Sequence, residues 1–329
     1  MQKEVAKKNY FAKIKEVFQD PDQTKSLLNN IKNFVLTLGR IAILVGVGYV
    51  ILAPVIGMFV NSISSNKDAY NPMVFVLPQN PTLERYQLTI ERLGYFSTMG
   101  KDLLYTLTLT LLELVVCSMV GYGFARFDFP LKKFLFGCVV VMIVIPSHVI
   151  MLPVYMTFRS FDPFGLVTAI RGTSGLMGSV APMYIMTLLG CGVRSGLYIY
   201  IFNQFFRGLP KEIEEAALVD GAGVWYTYFR IMLVNAMPAV ITVTVFSIVW
   251  QFNDTFFAKL FLISQDVVIS KKVSALQSTI ANIDKILDVT IQELYLDAGI
   301  ILVIIPIIII YCVLQKYFIE GVERSGIVG

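Results

Sequence analysis

The chain has 329 residues, of which 56% are hydrophobic and 15% charged, with a formal net charge of +4 and a mean hydropathy of +0.69. Soluble domains carry about 25% charged residues, so this composition leaves too little polar surface for a water-soluble fold and makes the bilayer the natural solvent. The small positive charge gives no reason to invoke nucleic acid as a partner.

The first 33 residues are charged and polar, without the apolar stretch and small-residue cleavage site of a secretory signal. Within them Tyr10, Phe11, Ile14, Val17 and Phe18 recur at helical spacing, with Lys7, Lys8, Lys13 and Lys15 among or beside them. This is either an amphipathic helix lying on the lipid of the inner leaflet or a solvated tail. A spanning helix takes about 20 mostly apolar residues, and six such stretches follow. Span 1 is the charge-free run between Arg40 and Lys67, and span 2 runs from about Leu103 to Phe124 around a single Glu113. Span 3 lies between Lys133 and Arg159, and span 4 runs from Leu176 to Phe205 with Arg194 inside it. Span 5 follows Arg230 and ends near Asp254, and span 6 occupies Ala298 to Gln315. The predicted class is an all-α integral membrane protein: an arm at 1–33, a six-helix domain at 34–318 and a short tail at 319–329. The segment through Arg40 carries eight Lys or Arg, and Arg126, Lys132, Lys133, Arg207, Lys211, Arg230, Lys316 and Arg324 lie on the same side. By the positive-inside rule that side is the cytoplasm, and it holds both termini. The opposite loops, from about Asn61 to Lys101 and from Ile263 to Leu296, are longer and mixed in charge.

Between spans 4 and 5, at about 207–230, the cytoplasmic loop departs from filler. Pro210 suits a first helical turn, and Glu212, Glu214 and Glu215 favour the N-terminal end of a helix. Ala216, Ala217 and Leu218 propagate it, and Gly221 and Gly223 let the backbone reverse. The outcome is a short surface helix, a turn and a second helix into the membrane. It is either a docking element for another protein or an ordinary loop helix.

Charges inside spans are costly, roughly 2.5–3.5 kcal/mol at a helix centre on insertion scales. Glu113 and Arg194 are therefore candidates for a translocation path, against structural pairing or, for Arg194, reaching to an interface. Among the aromatics, Tyr184, Tyr198, Tyr200 and Trp250 are candidate cavity residues, against simple packing. Trp250, Asn253 and Asp254 place polar groups near the outer end of span 5. His148 stands alone, and the four cysteines sit in apolar runs without metal-ligand spacing, so no metal site is expected.

The spacing in the loop is specific. Glu215-Ala216-Ala217 is followed after three residues by Gly221, and nine residues later by Ile231-Met232-Leu233. This closely resembles the EAA loop of ATP-binding-cassette importer permeases, with Val234 where the family usually has proline. Gly121 to Pro130 resembles the end of the second helix in carbohydrate-uptake permeases of the maltose type, and Pro81 to Tyr86 their preceding external loop. Ile145-Pro146, Leu152 to Tyr155, Phe205 to Pro210, Trp250 with Asn253-Asp254, and the tail from Gln315 to Gly321 with Gly329 are similar too. The arm of about 30 residues lies outside the resemblance.

The resemblance implies the type I importer permease fold in a bacterial cytoplasmic membrane. It implies a transporter subunit for a sugar or oligosaccharide, not an enzyme. The partners it implies are a second permease, two ATPase subunits and an extracellular solute-binding protein, with ATP and Mg on the ATPase. Glu214, Glu215, Ala216, Ala217, Asp220, Gly221 and Gly223 are the implied ATPase-coupling residues. The chain itself has no Gly-x-x-x-x-Gly-Lys-Ser/Thr sequence to cradle phosphates. A non-sugar solute is the alternative cargo, and an ion-driven secondary transporter the alternative machine.

Overall fold

A computed structural model describes residues 21–71, 77–264 and 266–326. The predicted amphipathic segment at Tyr10 to Phe18 lies outside the described residues. The described chain is helical, apart from one isolated bridge between Ser64 and Pro81.

The chain divides after Val60 into two compact units. The described part of the first is one helix, α1 (Pro21–Ile63), apolar on all sides beyond Lys32 apart from Arg40, with Leu36, Ile41, Leu44 and Ile51 among its exposed residues. An apolar surface all round a helix belongs in lipid or in a large core.

The second unit begins at Asn61. One end of it carries α2 (Asn66–Ala69) and α3 (Glu84–Leu93), which lead into α4 (Tyr95–Arg126). On α4 the positions Leu104, Leu107, Leu111 and Val115 are exposed, and Tyr105, Leu109, Glu113 and Cys117 are buried. The helical period thus gives α4 one lipid-type face and one packed face. Next come α5 (Lys132–Val144), α6 (Met151–Arg159), α7 (Leu166–Arg171), α8 (Ala181–Leu188) and α9 (Ser195–Gly208). The loop with the predicted docking helix follows as α10 (Lys211–Val219) and α11 (Val224–Asn235), the latter with a wide π-type turn at Thr227–Met232. The chain closes with α12 (Met237–Phe252), α13 (Phe256–Leu260), α14 (Ile269–Ser274), α15 (Leu276–Ile283) and α16 (Val289–Gly326).

Three helical stretches among the described residues are long and apolar enough to cross a bilayer: Lys32–Ile63, Tyr95–Arg126 and Val289–Val313. The bent pair α11–α12, with 76° between its parts, makes a fourth. The predicted spans 3 and 4 are not single helices. Span 3 breaks between α5 and α6, where Ile145 is extended (φ −72°, ψ 119°) ahead of Pro146. Proline disfavours helix in the residue before it and supplies no backbone N–H. Span 4 breaks between α8 and α9, where Gly190 takes φ +70°. Arg194, predicted inside that span, instead starts α9 in the left-handed region at φ +62°. The bend into α12 falls at Ala236, with Pro238 in the first turn beyond it. Val234 remains helical.

α4 is the hub. It packs most extensively on α9 and α12, and the largest buried cluster joins Tyr198, Phe202 and Phe206 of α9 to Tyr228, Met232 and Val243. At the end that holds α2 and α3 the two long loops lock together. Arg92 reaches Asp284 through Nε, at 3.1 and 3.0 Å from the two carboxylate oxygens, and also through Nη2. Tyr70 donates to Asp288, Asn61 to Asp297, and the backbone N–H of Ile269 to Asp102.

Hydrogen bonds from Arg92 hold the Asp284 carboxyl below its ordinary pKa. A carboxyl depressed in the folded state contributes stability above its unfolded pKa, about 3.9, and loses it as pH falls through the folded value. The thermal midpoint of the wild type is therefore expected to fall more steeply than that of Asp284→Asn as pH drops below about 4. Parallel pH profiles would show that the pair does not stabilise the fold.

Candidate functional site

Two sites emerge, one at the loop and one inside the helices. At the loop, Pro210 precedes α10, and α10 ends at Asp220 with Gly221 at φ +82°. That left-handed conformation, which costs an L side chain roughly 1–2 kcal/mol, turns the chain toward Gly223 and α11. The glutamates of α10 divide. Glu214 points back at α4, where Tyr122 and Arg126 stand one turn apart on the same face. Tyr122 donates to Glu214 Oε1, and Arg126 Nε lies 3.2 Å from Oε2. That approach is off-line for a hydrogen bond, so the contact is an ion pair. Arg126 Nη2 donates to the Leu209 carbonyl at 2.9 Å. The side chains of Arg126 and Glu214 are 5% and 15% exposed, so the pair is sheltered.

Glu215 and Ala216 are exposed, and Ala217 is buried against the body. Leu218, Val219, Val224, Trp225, Tyr226 and Phe229 are also exposed, and Asp220, Gly221 and Gly223 lie among them. The loop thus presents an apolar patch with acidic Glu215 and Asp220 on it. Its far end is anchored as well: Tyr228 lies 2.7 Å from the Ser118 hydroxyl, and its ring packs on Tyr122. Both ends of the loop are fastened to one helix, α4. Of the predicted coupling residues, Glu214 is turned inward, Ala217 is covered, and the other five stand on the outer side.

Inside the helices, Glu113 is fully buried. Ser247 of α12 donates to its Oε2 at 2.6 Å and lies 2.9 Å from the Thr110 hydroxyl. Glu113 Oε1 has no hydrogen-bond partner, nor do the hydroxyls of Thr187, Ser195 and Tyr198. Tyr198 and Gln251 lie beside Ser247 and Glu113 without closing a hydrogen bond. Gly192 makes room for the group, since a Cβ there would stand 2.7 Å from Thr187 Oγ1 and 3.0 Å from Glu113 Oε1. Spare donors and acceptors in an apolar interior are what water or a polyhydroxylated solute satisfies. Next to the cluster the Arg194 guanidinium lies 4.7 Å over the Trp250 ring, a cation–π contact. Trp250 stacks on Tyr198 and Phe246.

Glu113, Arg194, Tyr198 and Trp250 are therefore neighbours. Asn253 and Asp254 do not join them: Asn253 donates to its own helix at Val249, and Asp254 accepts the N–H of Phe257 at the start of α13. Tyr184 lies 2.6 Å from the Thr108 hydroxyl, Tyr200 stacks on Phe136, and His148 packs on Phe256. Thr110, Thr187, Ser195, Ser247 and Gln251 carry no sequence signal, being small or neutral polar residues inside apolar runs. Arg126 and Tyr122 stood in a recognisable motif, but nothing local marked them as partners of Glu214.

The profile of the family described as "Binding-protein-dependent transport system inner membrane component" matches residues 115–324, well over half of the chain. The chain belongs to this family. The match covers the α10–α11 loop, both of its anchors on α4, and most of the buried cluster. The permease is 26% identical to the arabinooligosaccharides transport system permease protein AraQ of Halalkalibacterium halodurans, over 77% of this chain and 81% of the relative. It is 22% identical to the diacetylchitobiose uptake system permease protein NgcG of Streptomyces coelicolor, over 86% of each. Among solved structures it resembles a bacterial ABC transporter involved in the import of the acidic polysaccharide alginate, with TM-score 0.66 and 21% identity, over 87% of this chain and 98% of that one. That likeness gives the importer-permease fold to the all-helical architecture described above.

Proposed function

We propose that this permease forms half of the translocation pore of an ATP-driven importer for a sugar or oligosaccharide in a bacterial cytoplasmic membrane. In this reading the chain crosses the membrane six times with both termini in the cytoplasm, and spans 3 and 4 are crossed by broken helices. It pairs with a second permease of different sequence, receives solute from an extracellular binding protein, and rests on two ATPase subunits that hold ATP and Mg. The relatives that handle arabinooligosaccharides and diacetylchitobiose support the sugar cargo.

The observation that carries the coupling role is the double attachment of the loop to α4. The exposed side of α10 and its turn (Glu215, Ala216, Asp220, Gly221, Gly223) offers an ATPase a docking surface, and Glu214 and Tyr228 pass its displacement to α4. Two arrangements of packed helices, biased by the nucleotide state of the partner, then suffice for alternating access. The Glu113 cluster and the Arg194–Trp250–Tyr198 stack are the candidate stretch of translocation path along α4, α9 and α12. Asn253 and Asp254 lie at its outer end.

Uptake into liposomes carrying the whole complex tests the reading. Sugar should accumulate only with both ATP and the binding protein present, and accumulation without ATP would sink it. Gly221→Asp sharpens the test, because a Cβ at Gly221 meets nothing within 4 Å in this chain. The left-handed turn at φ +82° strains any L side chain by roughly 1–2 kcal/mol, so Gly221→Ala is the control for strain: both variants are expected to reach the membrane, and the aspartate alone to lose ATP-coupled uptake. An aspartate variant that transports normally would show that the turn does not face the ATPase.

A further inference from the structure

The outer end of the second unit holds a cavity of about 430 Å³ whose wall includes Asn66, Lys67, Thr82, Glu84, Arg85 and Tyr295. Arg85 is 3% exposed. Its Nη2 donates to Asn66 Oδ1 at 2.5 Å, and its plane lies over the Tyr295 ring with Cζ 5.8 Å from the centroid. Nε and Nη1 are buried without any partner. No carboxylate lies within 4 Å of the guanidinium among the described residues. The nearby buried acid, Asp68, is occupied by Asn80, whose backbone N–H donates at 2.7 Å and whose side-chain amide donates at 3.0 Å. Burial lowers the Arg85 pKa, the direction of a cation short of counter-charge.

A guanidinium cannot shed its proton to escape burial, and leaving its donors unpaired costs several kcal/mol. A guanidinium takes a carboxylate through two parallel N–H···O bonds on one edge, so here Nε or Nη1 would act together with the second hydrogen of Nη2, whose first is held by Asn66. Lys67 adds a second cation, and with Glu84 the named wall keeps a net positive charge. Neutral Asn66 and Thr82 offer further hydrogen bonds, and the Tyr295 ring offers an apolar face.

We propose that this cavity is a carboxylate-binding site, with Arg85 as the anchor. The carboxylate comes either from an acidic sugar or from an acidic side chain of a protein docking on the outer surface. The geometry alone supports the site, and only the placement of the cavity outside the cell rests on the function proposed above.

The test uses the full-length chain in lipid nanodiscs, without partners or ATP, so its outcome is independent of transport. Sodium glucuronate, sodium acetate and sodium sulfate are compared with sodium chloride at matched ionic strength, and the thermal midpoint is read. Glucuronate is expected to raise the midpoint, and Arg85→Gln to lose that rise. A larger response to glucuronate than to acetate identifies a sugar acid as the ligand. Equal responses identify the bare carboxylate that an acidic side chain presents. Asn66→Asp guards against a variant that merely misfolds. It places a carboxylate on Nη2 from within, so it should raise the basal midpoint and abolish the response. The proposal is overturned if neither organic anion shifts the wild type, if sulfate acts equally, or if Asn66→Asp responds as the wild type does.

Discussion

Gly121→Val is expected to empty the membrane of folded chain, and Gly123→Ala, two residues on, to leave it intact. A Cβ at Gly121 would stand 2.6 Å from Phe202 Cβ, 3.0 Å from the Asn203 nitrogen and 3.1 Å from the Ile199 carbonyl oxygen. Two of the three obstacles are backbone atoms of α9, so no rotamer change relieves the contact. α4 and α9 are the most extensively packed helix pair of the molecule, and Asn203 donates to the Gly121 carbonyl at 3.4 Å. Small residues allow such close approach between membrane helices. Overpacking a dense interior costs about 1–3 kcal/mol and occasionally more. Here the separation would have to grow along the whole pair, carrying Tyr198, Phe202 and Phe206 with it. At Gly123 nothing lies within 4 Å of the added carbon, so alanine there gains helix propensity of roughly 0.5–1 kcal/mol. Monodisperse yield from detergent extracts and the thermal midpoint measure both. Equal loss at the two glycines would show that helix geometry, rather than the α9 contact, governs this stretch.

The contrast between these glycines shows where sequence reading reaches its limit. Hydropathy marked the membrane class and the long stretches of α4 and α16, because mean polarity survives any local rearrangement. The loop turn at Gly221 was legible because Pro210, the glutamates, the alanines and the glycines each have a local conformational preference. The broken spans were hidden from any hydropathy window: Ile145, Val149 and Ile150 flank one break, Leu189 and Val193 the other. Only Pro146 and the glycines at 190 and 192 marked them. Glu113, Arg194, Tyr198 and Trp250 stood out by charge or size, and the fold brings them together. Ser247 and Thr110, which complete the Glu113 site, did not stand out, since a serine or threonine in a membrane helix can satisfy itself on its own backbone. Asn253 and Asp254 stood out as candidate pathway groups, and their side chains hydrogen-bond locally, to the Val249 carbonyl and the Phe257 N–H. Among three nearby glutamates, nothing local says which one faces inward. That choice is made by Arg126, far away along the chain.

Arg126→Met is expected to cost both stability and coupling, and a second substitution separates the two. The variant leaves Glu214, 15% exposed, without its ion-pair partner, and it removes the donor to the Leu209 carbonyl. Breaking a fully buried pair from one side costs about 3–5 kcal/mol, because the remaining charge stays desolvated, and this partly buried pair loses less. Tyr122 still donates to Glu214, so the single variant is expected to assemble poorly, not to vanish. Adding Glu214→Met removes the stranded charge, and replacing both members of a buried pair by apolar groups is often neutral. The double variant should therefore recover most of the lost thermal midpoint, short of the wild type by what the unpaired Tyr122 hydroxyl and Leu209 carbonyl cost. It should not recover ATP-coupled uptake. An ion pair with a tyrosine hydroxyl fixes the register of α10 on α4, whereas two methionine side chains slide past each other. A push on the outer side of α10 would then be absorbed at the contact before reaching α4. Measuring midpoint, ATPase stimulation by the binding protein, and uptake on the same preparations decides the matter. If the double variant regains uptake together with stability, the clamp is only a packing device and the force passes through Tyr228 and Ser118. If stability returns and uptake does not, Glu214 is the joint by which the docking loop moves the membrane helices.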